Sequence, residues 1–150
     1  MKKFWISVLV AGIGITGPGT LARAGLFSST GAVIAMLADE LFIGEAEGHL
    51  NGAGTLAIHA QRDPARSCLG DFTSSADAGG SGQLRCSDGM VASFHFQRLS
   101  IWRGFGSGST SRGPLSFAYG LSYLDAGQYL KLPEGKRLWH NGVEVALADR

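Results

Sequence analysis

"CLGDFTSSADAGGSGQLRCSDGMVASFHFQRL" (Cys68–Leu99) contains both cysteines of this 150-residue chain and three stretches of alternating side chains separated by turn residues. In Val91–Leu99, Ala92, Phe94, Phe96 and Arg98 share one face, and Val91, Ser93, His95 and Gln97 share the other. Successive side chains of a strand point to opposite faces, so a half-buried strand reads with period 2. The phenylalanine face is expected to point inward. Asp88-Gly89, just ahead of this stretch, is a turn signal. Cys68–Ser74 and Gly80–Cys86 read as the two preceding strands.

The same pattern runs outward in both directions. Strands are expected near Val33–Leu37, Leu41–Leu50, Gly54–Gln61, Arg103–Ser109 and Gly113–Gly120. Arg137–His140 and Val143–Leu147 form a final pair joined by Asn141-Gly142, a strong two-residue hairpin signal. Gly31–Phe42 carries mixed signals. Val33, Leu37 and Leu41 suit a helix, while β-branched Val33 and Ile34 and the break at Asp39-Glu40 suit a hairpin, which is the reading adopted. Ser122 followed by Asp125 resembles a capping box, so one short helix is expected near residues 122–130, ended by Pro133.

Residues 25–150 contain 19 glycines. Glycine weakens a strand unless curvature or close approach requires it. Gly44 and Gly48 on one face of Leu41–Leu50 therefore point to bending. The expected fold is all-β: a small antiparallel barrel or strongly curved rolled sheet of about 8–10 strands.

The first 24 residues are set apart from this fold. Lys2 and Lys3 precede an uncharged run from Phe4 to Ile15, then Thr16-Gly17-Pro18-Gly19, then Ala22-Arg23-Ala24. This is the layout of a secretory signal cleaved near Ala24, with an apolar run too short to span a bilayer. No cysteine follows the run to accept a lipid. A single β domain over residues 25–150, periplasmic or secreted, is the expected product, with neither a transmembrane nor a lipid anchor. Lys2, Lys3 and Arg23 would leave with the signal, so 10 basic side chains would face 12 acidic ones. That balance disfavours nucleic acid, whose binders show a clustered basic excess.

Cys68 and Cys86 admit three readings: metal ligands, redox pair or staple. A metal needs about four ligands at close spacing, and His49, His59, His95 and His140 are scattered singly. A redox pair is usually C-x-x-C at a helix start. A structural disulfide suits an exported chain.

Two local resemblances follow from these residues. Phe42-x-Gly44 with Gly52-x-Gly54-x-Leu56, and Cys68-x-Gly70-x-Phe72 with Gly80-x-Gly82-x-Leu84, resemble the glycine hairpins of MORN repeats. "LRCSDGMVASFHF" (Leu84–Phe96) resembles the Cys-x-Asp-Gly turn and strand of periplasmic C-type lysozyme inhibitors, which implies a small periplasmic β-barrel. Their Ser-Gly-x-x-Tyr inhibitory loop has no counterpart here, so the inhibitory activity does not carry over. The whole chain resembles small exported proteobacterial β-proteins bearing C-x-G-x-F and C-S-D-G. That resemblance implies export and a β domain, and no particular activity.

No G-x-S-x-G, S-x-x-K or H-E-x-x-H motif occurs, so no catalytic residue, cofactor or metal is assigned. Gly104, Gly106 and Gly108 do not match the dinucleotide fingerprint. Ser100–Gly113, "SIWRGFGSGSTSRG", reads as a flexible Gly/Ser loop with Arg98, Trp102, Arg103, Phe105 and Arg112 in or beside it, residue types that dominate recognition surfaces. The leading expectation is non-enzymatic binding of a protein or cell-envelope component through this loop and the polar face Ser93, His95 and Gln97. Two rivals are a barrel holding a small apolar ligand and a hydrolase with its site around His95.

Overall fold

The computed structural model describes residues 28–75 and 78–150. The export segment expected over residues 1–24 lies outside them. Eight strands follow one another: β1 (Ser28–Leu37), β2 (Glu40–His49), β3 (Ala53–Ala60), β4 (Ser67–Ser75), β5 (Gly79–Cys86), β6 (Val91–Ser100), β7 (Arg103–Thr110) and β8 (Gly113–Tyr119). Each pairs antiparallel with the next, and β8 returns to pair with β1, Val33 opposite Tyr119 and Leu37 opposite Leu115. The sheet is thus a closed up-and-down barrel, the arrangement that leaves no free edge. The two segments that resemble glycine hairpins fold as β2–β3 and β4–β5.

After β8 the chain forms α1 (Tyr123–Ala126), a 3-10 turn (Gly127–Tyr129), β9 (Lys136–His140) and β10 (Val145–Asp149). The Ser122 hydroxyl accepts from the Asp125 N–H at 3.2 Å and donates to Asp125 Oδ2 at 3.1 Å, so the expected cap forms. This C-terminal segment covers the outside of the barrel. Ala126, Leu130 and Val145 bury Ile34, Met36, Leu41 and Ala118, and Phe105 stacks on Tyr129 with ring centroids 4.2 Å apart. β1 consequently has both faces buried. Val33, Ala35 and Leu37 belong to the inner core, while Ile34 and Met36 belong to the outer one. A strand covered on both faces loses its alternation, which is why Gly31–Phe42 gives mixed signals in the sequence.

One turn differs from expectation. His140 pairs with Val145, so the β9–β10 connection is the longer loop Asn141–Glu144 rather than Asn141-Gly142 alone. Asn141 Oδ1 accepts from the N–H groups of Val143 and Glu144 at 2.9 and 2.7 Å, so the side chain organises the turn. An Asn side chain that bonds the backbone two residues on mimics a turn in this way. The last strand begins at Val145 instead of Val143.

Inside the barrel, glycines and aromatic rings alternate between strands. Phe72 on β4 stands between Gly54 on β3 and Gly82 on β5. Phe94 and Phe96 on β6 stand between Gly82 and Gly80 on β5 and Gly108 and Gly106 on β7. Each ring leans over the strand before it: a methyl group added at Gly82 would lie 2.5 Å from Phe94 Cζ, and one at Gly80 would lie 2.7 Å from Phe96 Cζ. Phe117 and Tyr119 lean over Gly106 and Gly104 in the same sense. The rings meet edge-to-face, with centroids 5.2 Å apart for Phe94–Phe117 and 5.7 Å for Phe72–Phe96. Such contacts are each worth about 0.5–1.5 kcal/mol beyond burial. Because glycine leaves room above the neighbouring strand, the rings lie along the wall instead of filling the axis.

Gly44 serves curvature: a Cβ there would strike the backbone of Ala57 and Ile58 on β3. Cys68 and Cys86 are cross-strand partners on β4 and β5 and form the disulfide. On the outer wall of β4–β7, Asp71, Gln83, Arg85, His95 and Ser107 are exposed. Leu69 and Val91 are exposed on the same wall, so its outer face is mixed and lacks the continuous apolar band of a membrane-spanning barrel. Among the described residues no helix is long and apolar enough to cross a membrane.

Candidate functional site

The two ends of the barrel differ. The first is sealed by Leu37, Phe42, Ala60, Met90 and the Cys68–Cys86 disulfide, all part of one core cluster. Over this floor lies an ionic clasp drawn from the start of β2 and from the β3–β4, β5–β6 and β7–β8 connections. Arg66 Nη1 donates to both oxygens of Glu40 at 2.7 Å, and Nη2 donates to Asp88 Oδ2 at 3.1 Å. Arg112 Nη1 donates to the same Asp88 oxygen at 2.6 Å. The Arg66 guanidinium also sits 5.9 Å from the centre of the Phe42 ring. The N–H of Met90, together with Arg112 and Arg66, holds the Asp88 carboxyl down to about 2.

Among the described residues the second end is open. It leads into a cavity of about 640 Å³. Phe72, Phe94, Phe96, Phe117 and Tyr119 form one wall, and Val33, Ala35, Ala46, Leu56, Ile58, Leu84 and Leu115 form the rest. An eight-stranded barrel is just wide enough either to be filled by its own side chains or to hold one small ligand. Here the ring-over-glycine packing leaves part of the interior unfilled by the described side chains.

The mouth is built from the start of β1, the β2–β3 and β6–β7 turns and the end of β8. Leu50, Ile101 and Trp102 stand at its rim, 84%, 66% and 58% exposed. Polar groups lie just inside. Arg98 Nη2 donates to Ser74 Oγ at 2.6 Å, and that hydroxyl donates to the Gly52 carbonyl at 3.2 Å. Gly52 has φ +86 in the β2–β3 turn, a conformation glycine adopts without strain. The chain of bonds ties β6, β4 and the β2–β3 turn together. Tyr119, leaning over Gly104, has its hydroxyl close to the register partner of Gly104, which is Arg98. Burial pushes the Tyr119 phenol up, and the Arg98 charge opposes this.

The residues singled out from the sequence do not assemble into one loop surface. Ser100–Gly113 is largely the strand β7, not a flexible loop, because its alternation continues the barrel wall. Trp102 lies in the turn at the open mouth with Arg103 beside it, whereas Arg112 lies at the sealed end on Asp88. Phe105 faces outward under the C-terminal cover. Of these residues Arg98 and Trp102 line the cavity, Trp102 from the rim and Arg98 from the inward row that its parity with Phe94 and Phe96 already implied. Ser93, His95 and Gln97 lie exposed on the outer wall, opposite the lumen. His95 makes no hydrogen bond to a carboxylate among the described residues, and no cluster of His, Cys, Asp and Glu among them could hold a metal ion.

Ser74, Tyr119 and the aliphatic wall were not singled out from the sequence. Ser74 has the parity of Phe72, and Tyr119 that of Phe117, so the signal was present. It becomes a site only once the inner face is known to enclose space. Comparison of the chain with protein-family models, curated proteins and solved structures found no match in any of the three.

Proposed function

We propose that this protein binds a small apolar ligand inside the barrel, admitted through the open mouth. The observation that carries the reading is the apolar cavity of about 640 Å³, closed at one end and, among the described residues, open at the other. Its size falls within the range of small-molecule sites, about 300–1,000 Å³. Apolar surface left wet in such a space forgoes roughly 25 cal/mol per Å² relative to contact with an apolar guest. Export to the periplasm or outside the cell belongs to the same proposal, supported by the N-terminal layout and by a disulfide suited to an oxidising compartment. N-terminal sequencing of the exported protein should begin at Gly25.

The test of the lumen is titration with the neutral fluorophore N-phenyl-1-naphthylamine. Wild type should bind one equivalent with enhanced emission. Ala46 faces the cavity from β2, so Ala46→Trp fills the space and should weaken binding by roughly tenfold or more, equivalent to about 1.4 kcal/mol. Absence of binding, or binding unchanged in a folded Ala46→Trp variant, overturns the proposal.

A second reading keeps the recognition of a protein or envelope component and narrows it to the rim. The exposed side chains of Leu50, Ile101 and Trp102 favour it. The variant Trp102→Ala/Arg103→Ala should then release a partner that wild type retains, and retention of every partner removes this reading.

A further inference from the structure

We propose that the ligand is a single-chain amphiphile with a carboxylate head, its tail in the lumen and its head held at the mouth by Tyr119 and by Arg98, which Ser74 positions. The inference rests on the lumen reading above and adds the chemistry of the head group. Its first support is position. Arg98 continues the inward row of Phe94 and Phe96 and lines the cavity where the aromatic wall ends. A guanidinium turned toward an apolar interior is costly unless something compensates its charge.

The second support is partnership. At the sealed end, Arg66 and Arg112 are matched by Glu40 and Asp88. At the mouth, no carboxylate among the described residues lines the cavity, and the partner of Arg98 is the neutral Ser74 hydroxyl. A guanidinium carries five N–H donors in a planar fork, of which Ser74 engages one. The fork matches the two oxygens of a carboxylate. The Tyr119 hydroxyl, protonated at neutral pH, adds a donor beside it. An apolar cavity and a cationic mouth without a matching lining acid among the described residues together select a molecule that is apolar along its length and anionic at one end.

Calorimetric titration of the delipidated protein with three twelve-carbon probes tests this: dodecanoate, dodecanol and dodecyltrimethylammonium. Wild type should prefer dodecanoate to dodecanol by about tenfold or more, the range of a charge-assisted hydrogen bond, and bind the cation most weakly. Arg98→Gln should abolish the preference while leaving dodecanol binding in place, which also shows that the variant barrel is folded. Arg98→Lys should retain part of the preference, since it keeps the charge and loses the fork. Equal binding of dodecanoate and dodecanol to wild type, or a preference that survives Arg98→Gln, overturns the head-group assignment and leaves the lumen reading standing. Failure of both dodecanoate and dodecanol to bind overturns the lumen reading itself, and the inference falls with it.

Discussion

Phe117 lies over Gly106, its cross-strand neighbour, so closely that a methyl group on that glycine would stand 2.5 Å from the ring carbon Cζ. The same added carbon would press on the backbone oxygen of His95. Ring and glycine are therefore one packing unit, repeated around the aromatic wall. Gly106→Ala forces either the ring into the lumen or the strands apart. Overpacking of this kind costs about 1–3 kcal/mol. Urea unfolding should show that loss, and a variant as stable as wild type would refute the packing account.

The Cys68–Cys86 disulfide joins cross-strand partners 18 positions apart in the chain. In the chain-entropy account a loop of this length contributes about 3 kcal/mol, mainly by restricting the unfolded state. For a chain of this size, each kcal/mol shifts Tm by roughly 2–4 °C. Reduction, or the double change Cys68→Ala/Cys86→Ala, should lower Tm by about 6–12 °C. Neither should release zinc, since both sulfurs are engaged with each other, and metal found bound to oxidised protein at this position would contradict the staple.

The ionic clasp at the sealed end gives stability an acid dependence. Asp88 is held at about 2, below the ordinary 3.8. A lowered folded-state value means that the native state favours the carboxylate. The contribution is fully present above the unfolded value near 3.8 and is lost as pH falls through about 2. Asp88→Asn removes it at all pH values. The Tm gap between wild type and Asp88→Asn should stay constant above about pH 5 and close progressively between about pH 4 and pH 2. A gap that persists at the acid end would show that the carboxylate charge is not its source.

Phe105 separates structure from recognition. It lies on the outer wall against Tyr129, away from both the lumen and the rim. Phe105→Ala should destabilise the fold by about 1–3 kcal/mol through lost burial and ring stacking. Binding of N-phenyl-1-naphthylamine at temperatures where the variant is folded should be unchanged. Weakened binding without loss of stability would return Phe105 to a recognition surface.

Much of the fold was legible because its determinants are local. Period-2 alternation and Asp88-Gly89 mark strands and a turn from residues close in sequence. The Ser122–Asp125 cap works within one helical turn, and both cysteines belong to a single hairpin. The alternation in Val91–Leu99 even identified the inward row, Arg98 included. Where a strand is covered on both sides, as β1 is, the local signal degrades, and Gly31–Phe42 could be read two ways for that reason.

Closure, hollowness and the arrangement of the site are set by contacts between residues far apart in sequence. Whether β8 returns to β1 depends on the twist accumulated over every strand, not on any one of them. Whether the interior is filled depends on Phe94 finding Gly82, and Phe117 finding Gly106, on adjacent strands. The scatter of the candidate residues has the same origin. Trp102 and Arg112 flank one strand, so they end at opposite ends of the barrel, and Phe105 between them has the outward parity that the C-terminal segment covers. By itself the sequence determined most of the strands, the inward face of Val91–Leu99 and the hairpin that holds both cysteines. Only the tertiary structure decided that the inward faces enclose a cavity and that Arg98 stands at its mouth, because a lumen exists only when all the walls meet.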